Sequence, residues 1–503
     1  MFNKVVVANR GAVAARVLRA LYEMRIKAVA IYSEADYGAP YLEMAAETYA
    51  IGAAPARDSY LNQDLLLDVF KRAGVDGVHP GYGFLSENAQ FAQRVTDAGV
   101  HFIGPSPKWI DAMGHKTRAR EIAAQYGMPM SKGSDVLPME PAAILAAARA
   151  IGYPVLVKPA GGGGGIGMLP AKDESELLAV VERSRSMASR GFGNAEVYLE
   201  RLFERPRHVE FQVLADAHGN VVHLFERECS IQRRHQKVLE ETPSPALTPA
   251  LRKRMGDAAV AAARAVGYVN AGTIEFILDA SGEFYFLEMN TRIQVEHPIT
   301  ECTTGVDLVQ WQLRVARGET LAFAQKDLVQ RGHAIECRIY AEDETQHFMP
   351  SCGVLSILRE PSGPGIRVDS GVYQGWEVTP HYDPILAKLV AFGEDREHAR
   401  RRMLRALDEF VVHGVATSVG LHRRILAHPA FVAGKVDTSF LDEHAADLLA
   451  PSKADVPDVA FVAAALAQEL GIARAARAIV ANGDDDGPSP WATTGSWEIG
   501  RAR

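Results

Sequence analysis

Cysteine is scarce in this chain and poorly placed for metal or disulfide chemistry. The 503 residues hold four, Cys229, Cys302, Cys337 and Cys352, with no Cys-x-x-Cys pair among them. That excludes a disulfide framework or a zinc-ribbon site and reads as reduced thiols in a cytosolic setting. The 16 histidines contain no His-Glu-x-x-His or other paired-ligand spacing, so a catalytic zinc is not expected. Positive charge is not in excess either: 54 Lys and Arg stand against 62 Asp and Glu, a net charge of −8. Such a balance gives no footprint for nucleic acid or an anionic membrane. No apolar run approaches a membrane span, and the first residues, Met-Phe-Asn-Lys-Val-Val-Val-Ala-Asn-Arg-Gly, read as a strand entering a turn. The expectation is a cytoplasmic protein. No internal repeat is visible.

What is present is an ordered series of strands, helices and turns. The length exceeds what one core fills, and roughly two to four domains are expected. Val5–Ala8 reads as a short buried strand, Asn9-Arg10-Gly11 as a turn, Ala12–Met24 as a helix, and Lys27–Tyr32 and Val75–His79 as further strands. This is an open α/β unit, with sites expected at strand ends such as His79-Pro80-Gly81-Tyr82-Gly83. A second unit begins near Phe102-Ile103-Gly104-Pro105 and includes a strand at Val155–Lys158, the glycine run 161–165 and a hairpin around Asp279-Ala280-Ser281-Gly282. A third begins near Gly332 and ends in a helix at Glu397–Phe410. Beyond about residue 448 the composition turns to Ala-rich helix, and Asn482–Pro488 reads as flexible linker.

Residues 285–298 carry the most chemistry. Glu288, Asn290, Arg292, Gln294 and Glu296 recur at every second position, while Leu287, Met289, Ile293 and Val295 fill much of the other set. Read as a strand, one face mixes potential metal ligands, an anion clamp and a possible base, which suggests an active-site floor rather than a solvated edge. If Ile277 pairs with Phe286, Glu275 falls opposite Glu288. Two carboxylates so placed repel unless a cation sits between them, and with Asn290 they suit Mg²⁺ or Mn²⁺ bridging phosphates. Lys158 ends a Val-rich strand before Gly161–Gly165, a run whose backbone N–H groups can approach phosphate oxygens. By itself such a glycine run is more often a plain flexible loop. Gln232-Arg233-Arg234-His235-Gln236-Lys237 packs basic residues into one loop, a candidate small-anion site; Cys229 beside it reads as structural.

Several long motifs in order resemble the biotin carboxylases of the ATP-grasp superfamily. They are Ala8-Asn-Arg-Gly11, His79-Pro-Gly-Tyr-Gly-Phe-Leu-Ser-Glu-Asn88, Phe102-Ile-Gly-Pro-Ser106, Lys158 with its glycines, Glu226–Lys237, Glu288–Pro298 and Glu336-Cys-Arg-Ile339. The resemblance covers about residues 1–445. It implies an α/β and α+β multidomain protein: an N-terminal open α/β domain (1–114) and an ATP-grasp domain (115–330) with a mobile glycine-rich lid at about 131–203. A C-terminal mixed α+β domain (331–447) and a helical or flexible tail (448–503) would follow.

The same resemblance implies residue roles. Lys116, Lys158, Gly163, Gly164, Glu200, Leu202, His208, Gln232 and His235 would line the ATP pocket. Glu275, Glu288 and Asn290 would hold Mg²⁺ or Mn²⁺; Lys237, Arg292, Gln294 and Val295 would bind bicarbonate. Glu296 would remove the bicarbonate proton so that the oxygen attacks the γ-phosphate of ATP. Carboxyphosphate would break down to CO₂ and phosphate, phosphate would take the N1′ proton of biotin, Arg338 would stabilise the biotin enolate, and Tyr82 would sit near the ring. A base beside Lys237 and Arg292 should be ionised at neutral pH.

Two positions depart from the family pattern. Ile166 stands where the lid normally carries Arg or Lys, and Ala12 where Glu usually follows Asn-Arg-Gly. No Met-Lys-Met segment occurs, so biotin is expected on a separate carrier protein. The further partner expected is a carboxyltransferase subunit, and the family's usual state is a homodimer. The tail, with Ser489-Pro-Trp491, resembles the start of the segment that follows this domain in longer propionyl- or methylcrotonyl-type subunits, so the first half-reaction of an acyl-CoA carboxylase is expected. Two rivals remain at this point: another ATP-grasp ligase, such as a carbamoyl-phosphate-type enzyme, and a non-catalytic ATP-binding paralogue that scaffolds a carboxylase complex. The first has no use for the Tyr82, Arg292–Glu296 and Arg338 set, and the second is opposed by the intact Glu296, Lys237 and Arg338.

Overall fold

The computed structural model describes residues 2–161, 167–449 and 458–469. Its first sheet is parallel and five-stranded. The strands are β1 (Lys4–Val7), β2 (Lys27–Tyr32), β3 (Glu47–Ala50), β4 (Gly77–His79) and β5 (His101–Phe102), in the order β3-β2-β1-β4-β5. Val5 and Val7 enter one hydrophobic cluster and Val6 another, on opposite faces of the sheet. An unbroken Val run is the signature of a strand covered on both sides. Helix α1 (Gly11–Glu23) follows after a turn in which Gly11 takes φ +61°. The Asn9 side-chain amide donates to the carbonyls of Pro80 and Tyr82, both at 2.8 Å, tying two strand ends together and fixing Tyr82.

A small antiparallel sheet comes next: β6 (Val155–Pro159), β7 (Leu169–Ala171) and β8 (Val197–Arg201), in the order β7-β6-β8. The helices Pro141–Ile151 and Glu174–Phe192 accompany it, and Ile144, Ala148, Leu177, Val180 and Val181 join Val155, Val157 and Leu199 in a core of their own. Gly163, Gly164 and Ile166, expected in the lid, lie outside the described residues.

The third sheet is antiparallel and eight-stranded. It contains β9 (Arg207–Ala215), β10 (Val221–Arg233), β11 (Gln236–Thr242), β12 (Asn270–Leu278), β13 (Phe284–Asn290) and β14 (His333–Tyr340). The strands Ile385–Gly393 and Ile366–Ser370 complete it beyond β14, after the order β13-β12-β9-β10-β11-β14. Because β11 pairs directly with β14, the expected second and third units share one continuous sheet. The basic segment read as a loop is mostly strand: Gln232 and Arg233 end β10, a turn at Arg234 and His235 follows, and Gln236 and Lys237 open β11.

Two local readings need correction. The strand expected through residue 296 ends at Asn290; an irregular segment follows, and a helix starts at His297 with Glu296 in its N-cap position. Glu275 does pair with Glu288, but Phe276, not Ile277, pairs with Phe286, because the register shifts at a bulge between these positions. An extra residue on one strand re-aims the side chains beyond it.

Polar side chains form cross-strand rows on this sheet. Glu288 faces Glu275, Glu275 faces Glu210 on β9, and Glu210 faces Arg227 on β10. In the other half Glu240 faces Glu336, and Arg338 faces Lys388, which faces Asp369. The alternate residues Val209, Phe211 and Val213 pack with Met255, Ala259 and Ala263 of the Pro249–Ala265 helix.

The N-terminal sheet is positioned through α1, whose start lies against the backbone near residue 371. A Cβ at Gly371 would stand 2.4 Å from the Ala12 nitrogen and 2.7 Å from Gly11 Cα, so no side chain fits there. Gly371→Ala should therefore lower stability by about 1–3 kcal/mol, measured by denaturant unfolding, while Gly219→Ala, where a Cβ has open space but φ is +88°, reports the cost of strain alone.

Candidate active site

The floor of the site rests on one lysine. Lys237 Nζ donates to Glu210 Oε2 at 2.5 Å, Glu275 Oε1 at 2.8 Å and Glu296 Oε1 at 2.7 Å. All three N–H bonds are committed to carboxylates. Arg227, with no exposed surface, backs the group from below. Its Nε donates to Glu210 at 2.5 Å and its Nη1 to Gln212 at 2.8 Å and Thr300 at 2.9 Å. Nη2 donates to Thr273 at 3.2 Å. Sequence reasoning missed Glu210 and Arg227. The signal was present in His208, Glu210 and Gln212, which alternate with Val209, Phe211 and Val213.

These contacts divide the acids by charge state. Burial pushes the Glu296 carboxyl up most strongly, but Lys237, Arg338 and Arg227 outweigh it and hold the group well below its ordinary 4.5. Glu275 is likewise held well below 4.5, with burial overcome by Lys237 and His208, whose Nε2 lies 2.7 Å from Glu275 Oε2. Glu210 moves upward instead, since burial, together with the neighbouring Glu296 and Glu275, exceeds the pull of Arg227 and Lys237. Lys237 itself is held charged, the three carboxylates overcoming burial. Arg338, rather than the expected Arg292, is the second cation on Glu296, donating from Nη2 at 3.0 Å. Arg292 reaches Glu87 Oε2 at 2.8 Å, Gln294 Oε1 at 2.7 Å and Asn290 Oδ1 at 3.1 Å.

Above this floor opens a cavity of about 600 Å³. Its lining includes Tyr82, Lys116, Lys158, Glu200, Leu202, His208, Gln232, His235, Lys237, Glu275, Glu288, Asn290, Arg292, Gln294, Val295 and Arg338, drawn from the small and large antiparallel sheets, a helix start and the connecting segments, among them the one after β4. Glu296 lies beneath the wall, fully buried, and reaches the cavity through its bonds to Lys237 and Arg338. Apolar lining that the sequence did not flag comes from Leu156, Met168, Ile277 and Leu287, with Phe203 stacked on Tyr285 at 4.9 Å between ring centroids. A slot with flat and aliphatic walls beside lysines suits a nucleobase joined to phosphates.

Lys158 is buried and donates to Glu200 Oε2 at 3.1 Å, while Arg120 donates to Oε1 of the same carboxylate at 2.8 Å. Burial pulls the Lys158 ammonium down, against Glu200. Lys116 Nζ approaches Glu288 no closer than 3.8 Å. The Glu288 carboxylate is therefore weakly held and partly exposed, directly opposite Glu275, with the Asn290 amide two residues on. This hard oxygen set fits a Mg²⁺ or Mn²⁺ ion. Cys229 and Cys337 are buried, and burial pushes both thiols up, which suits structural roles. Among the described residues no helix is long and apolar enough to cross a membrane.

A nucleotide-sized cavity between a small three-stranded sheet and a large antiparallel one, with carboxylates on the large sheet, defines an ATP-grasp protein. Family models match in succession: "Biotin carboxylase, N-terminal domain" over residues 1–110, "Carbamoyl-phosphate synthase L chain, ATP binding domain" over 115–324 and "Biotin carboxylase C-terminal domain" over 336–443. The chain is 51% identical over 444 residues to a pyruvate carboxylase subunit of Methanothermobacter thermautotrophicus, covering 88% of this chain and 90% of that one. It is 46% identical over 499 residues to the alpha subunit of mitochondrial methylcrotonoyl-CoA carboxylase from Dictyostelium discoideum, covering 99% of this chain and 70% of the relative. The biotin carboxylase domain dimer of Hydrogenobacter thermophilus 2-oxoglutarate carboxylase, solved with MgADP, ADP and bicarbonate, superimposes with a TM-score of 0.87 at 46% identity, covering 89% of this chain and 99% of that one. The chain belongs to the biotin carboxylase family.

Removing the shared cation should be costly. In Lys237→Gln, Glu210, Glu275 and Glu296 stay buried without it, and a loss of about 3–5 kcal/mol is expected in denaturant unfolding. Folded values for Glu275 and Glu296 lie well below 4.5, so their contribution is full above that pH and is lost as pH falls below it, through the lower folded values. Glu210, raised in the fold, acts in the opposite sense, its contribution fading as pH rises. The variant should show a weaker loss of stability on acidification than the wild type.

Proposed function

We propose that this protein carboxylates biotin at the expense of ATP and bicarbonate, with biotin presented by a carrier protein. The observation that carries the reading is Glu296: a buried carboxylate held ionised by Lys237 and Arg338 at the edge of a nucleotide-sized cavity. A base must be ionised at working pH, a condition the Lys237 and Arg338 contacts supply, and the proposal places it close to the bicarbonate proton.

In this reading Lys237, Arg292, Gln294 and the Val295 backbone bind bicarbonate, and Glu296 takes its proton. The oxygen then attacks the γ-phosphate of ATP to give carboxyphosphate. Lys116 and Lys158 neutralise phosphate charge, while Glu200, Leu202, His208, Gln232 and His235 shape the nucleotide pocket. Glu275, Glu288 and Asn290 would hold Mg²⁺ or Mn²⁺, which supplies charge neutralisation to the transferring phosphoryl group. CO₂ released from carboxyphosphate passes to biotin, whose N1′ proton goes to phosphate. Arg338 supplies the positive charge that the deprotonated acceptor needs, and Tyr82 borders its ring. The proposed domain division falls at 114, 330 and 447.

Partners and pathway form part of the proposal. A separate biotin carrier, a carboxyltransferase, a homodimer like the 2-oxoglutarate carboxylase domain and a cytoplasmic location are proposed together. For the final acceptor, the alignment to the methylcrotonoyl-CoA carboxylase relative extends over 499 residues, beyond the 444 aligned with the pyruvate carboxylase relative. That extra span supports an acyl-CoA carboxylase.

The test is ATP hydrolysis with Mg²⁺ and bicarbonate, with and without free biotin. Biotin-stimulated turnover is expected in the wild type, with a loss of about 10²–10⁴-fold in Glu296→Ala and little change in nucleotide affinity. Nucleotide binding without bicarbonate-dependent turnover, even with a biotinylated carrier, would sink the reading.

A further inference from the structure

Two buried carboxyl groups beside the site have no part in the chemistry described so far. Glu240 on β11 and Glu336 on β14 are directly opposite each other in the β11–β14 ladder, and neither has exposed surface. Glu240 Oε1 accepts from Arg338, from Nε at 2.7 Å and Nη2 at 2.5 Å. Its Oε2 and both oxygens of Glu336 meet no donor. Three bare oxygens on two facing carboxylates, shut away from water, would be strongly unfavourable. One proton between them would pair two of the three, the acid O–H of one donating to the other, and would leave a single negative charge opposite Arg338.

The surroundings favour that state. The charged groups facing the pair are Arg338 on β14, Lys237 on β11, Glu296 ahead of the His297–Thr304 helix, and Lys388 with its partner Asp369 at 3.4 Å. Tyr82, in the segment after β4, and the Cys229 and Cys337 thiols feel the charge of Glu336 or Glu240 through space, and Asp383 that of Arg338. Lys388 is already held by Asp369 and by the Val295 carbonyl at 2.9 Å, and Lys237 by its three carboxylates. Burial lifts Glu240 to about 7 against Arg338, and lifts Glu336 well above its ordinary value against Lys388.

We propose that Glu240 and Glu336 share one proton as a buried acid–carboxylate pair, and that this pair is the positioning element for Arg338. The proposal rests on the reading that Glu296 takes a proton from bicarbonate while Arg338 serves biotin. Arg338 Nη2 bridges Glu240 and Glu296. Once Glu296 is protonated it no longer holds the guanidinium as an ion pair, and Glu240 becomes its remaining anionic anchor. The single charge of the pair keeps Arg338 in place while its other partner changes charge.

Infrared difference spectra of the full-length chain at neutral pH test the shared proton, with wild type compared against Glu336→Gln and Glu240→Gln. A carboxylic-acid C=O band present in the wild type should be missing in Glu336→Gln and moved in Glu240→Gln. Kinetically, Glu240→Gln should lower biotin-stimulated kcat about 10- to 100-fold with the KM for ATP within about twofold, as for a lost supporting partner. Glu336→Gln, a near-isostere of the neutral acid, should keep kcat within about threefold near neutral pH and hold the fold even if the other variant does not. An acid band unchanged in Glu336→Gln, or full biotin-stimulated kcat in Glu240→Gln, would overturn the proposal. Absence of bicarbonate-dependent turnover in the wild type would instead overturn the reaction it rests on, and the band would still decide the shared proton.

Discussion

Everything in the site depends on placing several carboxylates side by side on one sheet without their driving it apart. Glu288, Glu275 and Glu210 occupy consecutive cross-strand positions, where like charges repel. Lys237 resolves most of the conflict by binding Glu210, Glu275 and Glu296 at once, and Arg227 closes the row from beneath. Such a cluster is a poor source of stability, because desolvation offsets most of its attraction. What it provides is a defined charge state for each acid, set before substrate arrives. Electrostatic preorganisation of this kind is the main resource available to phosphoryl transfer.

Much of this was legible in the sequence, for identifiable reasons. Strands covered on both faces show as apolar runs, so β1 and β2 were placed to within a residue. The polar alternation at Glu288 and Asn290 picked out residues that line the cavity. It failed after Asn290, because an irregular segment and a helix cap can present polar residues to one cavity without strand geometry. The Glu275–Glu288 pairing was reached through the wrong register, since a bulge is invisible to a two-residue period. Glu210 and Arg227 stayed hidden because their importance lies in contacts between residues far apart in the chain. A lone Glu or Arg within an apolar strand says only that a partner must exist.

The basic hairpin shows the same limit from another direction. Composition marked Arg233, Arg234, His235 and Lys237 as one cluster, but the hairpin separates them, with Arg234 and His235 in the turn and Arg233 and Lys237 on its two strands. Lys237 turns to the carboxylates, whereas Arg233 forms an ion pair with Glu342 at 2.7 Å and Arg234 is exposed. Counting charges found the segment; only the fold assigned each charge a task.

The continuous ladder from β11 into β14 has an evolutionary consequence. Lys237 and Glu240 on one strand, and Glu336 and Arg338 on the other, keep their relations only while the register is held. Insertion or loss of one residue within either strand would turn those side chains to the opposite face. Length variation among descendants of this chain should therefore gather at exposed hairpin tips, such as Asp279–Gly282 between β12 and β13, and spare the strands themselves. The catalytic floor behaves as an inherited reading frame, tolerant of substitution at many points and intolerant of a shift.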